Sequence, residues 1–254
     1  MNQHNISPRW AYHATSKKSL RKIINDGLKP RGQAGDSNWK GQLQSHLEMV
    51  YLTAGNTLYY GVEVQADSIS VVRINLNQLA ADSLYPDEDY LAFPSPLPFG
   101  QVPDDELKRR VEIARSQMLN HQGRWNDSLT THGTCCYRGI IPPTAIDKAI
   151  IISKKPKFCS NVVSLVFGHV YQGRVSCSYY QKAKAGLDCI NSFLFNEPYD
   201  LDVWIKSYDW KPECDPTSGL LRKQVEEELA QLQKQIRVVK LPPPKIGGVS
   251  GKNP

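Results

Sequence analysis

The chain predicts an α+β fold in which a sheet of short strands is flanked by helices, with a C-terminal extension ending in a long helix. Three observations carry this reading. Short apolar runs recur at 10–13, 49–53, 69–76, 135–141 and 149–152, and their β-branched and aromatic content suits a half-buried pleated surface. Helical spacing appears between them, over 17–26 and 104–120. A last amphipathic stretch spans 220–239. With 254 residues the chain can bury one ordinary core plus additions.

Residues 1–8 are polar and end in Pro8, which predicts a loose arm. The segment Trp10-Ala11-Tyr12-His13 forms the first strand. Thr15 or Ser16 then caps a helix over 17–26, accepting the free N–H groups of its first turn. Leu20, Ile23 and Ile24 make that helix's apolar stripe, Gly27 is its C-cap and Pro30 stops it. Residues 31–48 are polar, with Trp39 as their large apolar residue, and loops of this length are often functional.

The run MVYLT at 49–53 predicts a buried strand, with Tyr51 and Thr53 on the face opposite Leu52. Residues 57–61 begin a helix or simply turn. ISVVRINL at 69–76 is a strand, and the proline-rich, acidic 82–103 predicts a loop over the surface. In 104–120, Leu107, Val111, Ala114, Met118 and Leu119 keep helical spacing behind an acidic start. Residues 123–132 predict a second polar loop and 135–141 a strand that places Cys135 and Cys136 on opposite faces. Pro142-Pro143 ends that strand, and 149–152 is a short one.

A boundary is expected near Lys154-Lys155-Pro156-Lys157, giving units at 1–153, 154–218 and 219–254. In the second unit, 162–170 and 175–180 alternate partly as strands, 186–195 fits either state and 203–210 is aromatic and packed. In 220–239, Leu221, Val225, Leu229, Leu232 and Ile236 recur at helical spacing, with an acidic start and a basic end. The three prolines at 242–244 end this helix, and a flexible tail follows.

Composition narrows the function classes. No apolar run approaches the ~18 residues of a membrane span, and the N-terminus has no leader pattern, so a cytoplasmic protein without a membrane partner is expected. The net charge of +6 and pI near 8.9 are compatible with a phosphate-bearing partner. The six cysteines show no C-x-x-C pair and no zinc-finger spacing to histidine, so reduced thiols and no metal are expected. P-loop, G-x-G-x-x-G, H-E-x-x-H and G-x-S-x-G motifs are all missing from the sequence.

Three groups of residues carry candidate chemistry. His13, at a strand end before a helix N-terminus, can bond ribose hydroxyls while nearby N–H groups face phosphate; the alternative is a packed surface histidine. Tyr51, Tyr59 and Tyr60 offer aromatic walls for a nicotinamide or purine ring, or simply core packing. In THGTCCYRGIIPP, His132, Thr134, Tyr137 and Arg138 form the third set. An arginine at a strand end can hold a phosphate through its planar fork, or stand in solvent.

The order of these segments resembles the ADP-ribosyltransferase superfamily, including its RNA 2′-phosphotransferase branch. The shared pieces are Tyr12-His13-Ala14-Thr15-Ser16, Gly27-Leu28-Lys29-Pro30, the V-Y-L-T of 50–53, the strand at 69–76 and Ile141-Pro142-Pro143-Thr144-Ala145-Ile146. The match covers about residues 10–153.

The resemblance implies a split, bent mixed β-sheet with NAD in its cleft. It implies that His13 binds the adenosine ribose, Thr15 or Ser16 holds the nicotinamide side, Tyr51 or Tyr60 stacks near the nicotinamide, and Arg31 reaches the phosphates. Thr53 completes the cofactor-binding set. Many members place a catalytic Glu on the strand before I-P-P, but 132–136 holds no acid. His132 and Arg138, with Tyr137 beside them, are the expected substitutes, because the phosphotransferase branch works with His and Arg. With His13 so near the start, that branch's N-terminal winged-helix domain is not expected, which favours ADP-ribose transfer over phosphate removal.

The implied activity is transfer of ADP-ribose from NAD to a macromolecular acceptor, RNA or DNA ahead of protein, in a toxin or conflict-system setting with an inhibitor or antitoxin partner. The alternatives are an NAD- or ADP-ribose-binding module and an RNA 2′-phosphotransferase-like enzyme. The C-terminal helix serves assembly or packs on its own domain.

Overall fold

The computed structural model describes residues 9–34, 45–55, 57, 68–93, 103–153, 177–206 and 219–243. In chain order the elements are β1 (Trp10–Ser16), α1 (Lys17–Asp26), α2 (Arg31–Ala34), β2 (Met49–Thr53), β3 (Ile69–Asn75), β4 (Leu84–Pro86), α3 (Glu88–Ala92), α4 (Asp104–Gln117), α5 (Trp125–Thr131), β5 (Thr134–Arg138), β6 (Ile146–Ile152), α6 (Cys177–Leu194), α7 (Leu201–Lys206), α8 (Gly219–Gln233) and β7 (Ile236–Val239). The fold is α+β, built on a seven-stranded sheet of order β4-β5-β2-β1-β3-β6-β7. The arm at 1–8, Trp39, Tyr59, Tyr60, the 154–157 boundary, 162–170 and the tail past 243 lie outside the described residues.

Strand pairing divides the sheet. β1 pairs with β3 from Trp10↔Asn75 through Ser16↔Ile69, and β3 with β6 from Ile69↔Ile152 to Ile74↔Ile146. β2 runs against β5 from Met49↔Arg138 to Thr53↔Thr134. Between β1 and β2 the register is a single pair, Tyr12↔Thr53. Two well-paired halves therefore meet along a thin seam. Every registered pair is antiparallel, which corrects the expected mixed sheet.

Alternation along the strands feeds two apolar layers. Ala11, Val50, Leu52, Val72, Ile74, Cys135, Tyr137 and Ile151 face Leu20 and Ile23 of α1 and Leu129 of α5. On the opposite face, Tyr12, Ala14, Ile69, Val71 and Ile150 pack under Leu187, Ile190 and Phe193 of α6, Trp204 of α7 and Leu229 of α8. Cys135 and Cys136 lie in different layers, as strand alternation requires. The core thus draws on all three expected units, and β7 of the last completes the sheet.

Several sequence readings are overturned. The expected surface loop at 82–103 holds β4, paired with β5, and α3, with Leu84, Tyr85, Asp87 and Glu88 buried. Three strand residues are too few to show a period, and the acids look like solvent-facing ones. The polar loop at 123–132 is largely α5, anchored by the fully buried Leu129. The strand reading at 175–180 gives way to α6 from Cys177.

The helix expected over 220–239 stops at Gln233. Its last β-branched residues, Ile236 to Val239, pair with β6 instead, because the sheet edge offers a hydrogen-bonded place where β-branched side chains pack well. The helix at 104–120 ends at Gln117 and tightens into a 3₁₀ turn. The strand at 135–141 is Thr134–Arg138, that at 149–152 begins at Ile146, and 31–34 is a helical turn.

A charged cluster fastens the helical layer to the sheet. Arg73 of β3 donates to Asp147 and to Glu197 (2.7 Å), and Lys148 also reaches Glu197 (2.6 Å). The Arg73 guanidinium lies over Trp10 at 4.4 Å and Phe195 at 5.3 Å. The β3–β6 register shifts between Arg73 and Ile74, which accommodates Asp147 as an extra residue beside Arg73. Tyr12, buried next to this cluster, has its phenol pKa pushed up to about 12, chiefly by desolvation.

Candidate functional site

The site is built where β1 turns into α1. Ser16 leaves the strand and caps the helix, accepting from the Ser19 N–H at 3.2 Å. At the other end Gly27 takes φ +88°, and a Cβ there would lie 2.4 Å from the Ile141 carbonyl oxygen. Only glycine tolerates both conditions. Leu28 and Ile141 then exchange backbone hydrogen bonds, Leu28 N to Ile141 O at 2.9 Å and the reverse at 3.0 Å. The G-L-x-P turn and the I-P-P segment, far apart in sequence, thus clamp one another.

His13 stands on the seam. Its Nδ1 lies 2.9 Å from the Tyr51 carbonyl oxygen of β2. A carbonyl only accepts, so Nδ1 carries the proton. Burial pushes the His13 pKa below its ordinary value, with the Tyr51 bond opposing, so the ring is neutral and Nε2 keeps its lone pair. Nε2 makes no hydrogen bond to a described residue. His13 therefore bridges the two half-sheets with one nitrogen and presents an acceptor with the other.

The Tyr51 side chain is tied on the other face. By the Tyr12↔Thr53 register, Tyr51 and Thr53 share Tyr12's side of the sheet, whereas His13 and Thr15 share the α1 side. The Tyr51 hydroxyl donates to the Glu88 carboxylate (2.6 and 2.7 Å) and accepts from the His46 N–H (2.9 Å). Burial, reinforced by nearby acids, holds this phenol protonated well above its ordinary range. Glu88, 5% exposed, also takes a 2.8 Å ion pair from Arg115.

Asp87 beside it caps α3 by accepting from the Asp89 N–H at 2.9 Å. Burial, with Asp89 and Glu88 adding to it, raises its pKa. Its own N–H donates to Ser128 Oγ (3.0 Å), which donates on to the Thr134 carbonyl (2.7 Å). The thiols of Cys135 and Cys136 are also pushed up by burial, which keeps them protonated and unsuited to nucleophilic attack.

The other expected residues disperse. Thr15 is buried in β1, Ser16 caps α1, and Thr53 Oγ1 donates to the Gly133 carbonyl at 3.0 Å. Arg31 opens α2, where Gly32 N–H holds the turn to the Leu47 carbonyl at 2.8 Å. His132 ends α5 beside Thr131 Oγ1 (3.1 Å), edge-on to Tyr90 with ring centres 5.0 Å apart. Burial lowers its pKa. Tyr137 is buried in the α1-side layer. Arg138 is exposed and pairs with Glu48 at 2.9 Å. Thr134 and Arg138 close opposite ends of β5, about 13 Å apart at ~3.3 Å per residue, so His132 and Arg138 do not form one cluster.

Sequence reasoning missed Glu88, Asp87, Ser128 and Arg115. Arg115 left a signal: it stands four residues after Val111 and so falls on the buried stripe of α4. Among the described residues no group of His, Cys, Asp and Glu is arranged to hold a metal ion, and no helix is long and apolar enough to cross a membrane.

No family model matches the chain, and no curated protein matches it. Among solved structures, a chain named EcPltA aligns with 57% of this chain and 77% of its own length, at 16% identity and a TM-score of 0.30. At that score the fold rests on strand order and packing alone.

Proposed function

We propose that this protein transfers ADP-ribose from NAD to a macromolecular acceptor, on an ADP-ribosyltransferase-type split sheet. The observation that carries the proposal is the state of His13: a neutral ring whose Nδ1–H is committed to the Tyr51 carbonyl and whose Nε2 makes no bond to a described residue. A ribose hydroxyl is the kind of donor that such an acceptor takes. The single-pair seam between β1 and β2 gives a nucleotide a place to enter between half-sheets.

In this reading His13 orients the adenosine ribose of NAD, and Ser16 with the first turn of α1 lies on the nucleotide side. Glu88 and Arg115 are positioning residues. They fix the Tyr51 phenol, and with it the strand whose carbonyl sets the His13 tautomer. In the transfer step the bond between the ribose C1′ and nicotinamide breaks, nicotinamide leaves with that electron pair, and an acceptor nucleophile forms the new bond to C1′ and loses its proton.

A second reading, NAD or ADP-ribose binding without transfer, is favoured by β5, which carries no acid from Thr134 to Arg138, while Glu88 is occupied by Tyr51 and Arg115. Calorimetry with NAD, run beside a nicotinamide-release assay with protein, RNA and DNA acceptors, separates the two. Binding with release supports transfer, and binding alone supports the module.

His13→Ala is expected to weaken NAD binding at least tenfold; unchanged binding overturns both readings. The pH dependence has a definite sign. Because the folded pKa of His13 is lowered, Nε2 stays an acceptor through neutral pH, so affinity holds above about pH 6.5 and falls as the ring protonates below it. An affinity that rises on acidification removes His13 from the site.

A further inference from the structure

We infer that the groove between α1 and the β6–β7 edge is a docking surface for the sugar-phosphate backbone of a nucleic acid. The groove encloses about 340 Å³, with Lys17, Arg21 and Asn25 on its rim and Ile24, Ile151 and Val239 along its floor. Register adds a cation from the opposite side. Arg237 lies directly across from Ile151, so the two side chains share the groove's face of the sheet, and Arg237 is exposed.

Lys17, Lys18, Arg21 and Lys22 are exposed on α1, whose one acid is Asp26 at its last residue. None of the four, nor Arg237, forms an ion pair with a described residue. Several cations elsewhere do close on carboxylates: Arg109 and Arg110 on Glu106, Lys184 on Asp188, Arg222 on Asp202 and Glu226. Unneutralised positive charge on both sides of an apolar strip calls for an anionic partner that also has apolar faces.

The mix of groups decides between partners. The apolar side chains of Ile24, Ile151 and Val239 lie between cations on either side, so an all-acidic peptide would answer the charges but leave the apolar strip uncovered. Phosphates meet the side-chain cations, and sugars and bases lie on the strip. The groove also stands on His13's side of the sheet: Val239 ends the row His13, Val72, Ala149, Val239. Three strand spacings make that row about 14 Å long. This inference deepens the transfer reading by naming the acceptor class, and it rests on that reading only for what happens after docking.

The test is a fluorescence-anisotropy titration of a labelled single-stranded 20-mer RNA or DNA, without NAD, so that its failure leaves transfer itself untouched. Binding is expected, with an affinity that falls steeply as salt rises. Lys17→Glu/Arg21→Glu/Arg237→Glu should weaken it at least tenfold and flatten the log–log salt slope by about 2, at ~0.7 per phosphate contact. Lys17→Gln/Arg21→Gln, milder and at exposed positions, should weaken it less in the same direction. Arg109→Glu/Arg110→Glu, on the acid-paired helix, should bind as the parent does. No binding of either nucleic acid, equal binding by the triple variant, or displacement of the oligonucleotide by a poly-glutamate peptide at lower concentration overturns the proposal.

Discussion

The two halves of the sheet solve opposite problems. In β1, β3 and β6 the registers are long and apolar side chains pack on both faces, and the buried charge of Arg73 is matched by Asp147 and Glu197. In β2, β5 and β4 the strands are short, and a polar cluster of the half-buried Tyr51 with the buried Asp87, Glu88, Ser128 and Thr134 lies on and beside them. The first half spends its burial on stability. The second keeps carboxylates in a low-dielectric interior, where they are costly unless each oxygen is satisfied, and it abuts the seam that His13 spans. Polar groups held at such a cost beside a weak seam mark the half on which the proposed transfer would depend.

This contrast can be broken first at its most apolar point. Trp204 is fully buried against Phe193 and Tyr199, so Trp204→Ala should lower unfolding free energy by about 3–5 kcal/mol. Denaturant melts read this directly, and a loss near ~1 kcal/mol would show that α7 is not part of the scaffold. The polar half should respond through hydrogen bonding rather than volume. Tyr51→Phe removes the hydroxyl shared by Glu88 and the His46 N–H, at an expected cost of about 1–3 kcal/mol. A double-mutant cycle with Glu88→Gln should show that the two changes are not additive; strict additivity would separate Tyr51 from Glu88.

The smallest effect sharpens the comparison from inside the scaffold. Ser70 is fully buried in β3, and its Oγ has no hydrogen-bond partner among the described residues. Ser70→Ala should therefore be neutral or stabilising by up to about 1 kcal/mol, in contrast to every polar change around Glu88. A clear destabilisation would mean that the Ser70 hydroxyl is satisfied.

Much of the fold was legible before any coordinates. Ser16 and Gly27 bracketed α1 because capping and positive φ are properties of a few neighbouring atoms. The β-branched run at 69–76 identified the central strand, and alternation alone assigned Cys135 and Cys136 to different layers. His13 was legible as a candidate, along with the segment order that placed it.

The partners across the sheet were not legible. β4 is three residues long and became a strand only because β5 offered it an edge. Ile236 to Val239 continued a helical stripe in sequence, yet joined β6 once that strand was in place. The burial of Glu88 and the commitment of Tyr51 to it depend on residues from four separate elements or turns meeting at one point. So does the tautomer of His13, which is set by a carbonyl on another strand. The sequence by itself determined which residues favour strand, helix or turn, because those preferences are local. Only the tertiary structure decided which of its polar groups face each other, because hydrogen bonds and desolvation act between atoms brought together by the fold.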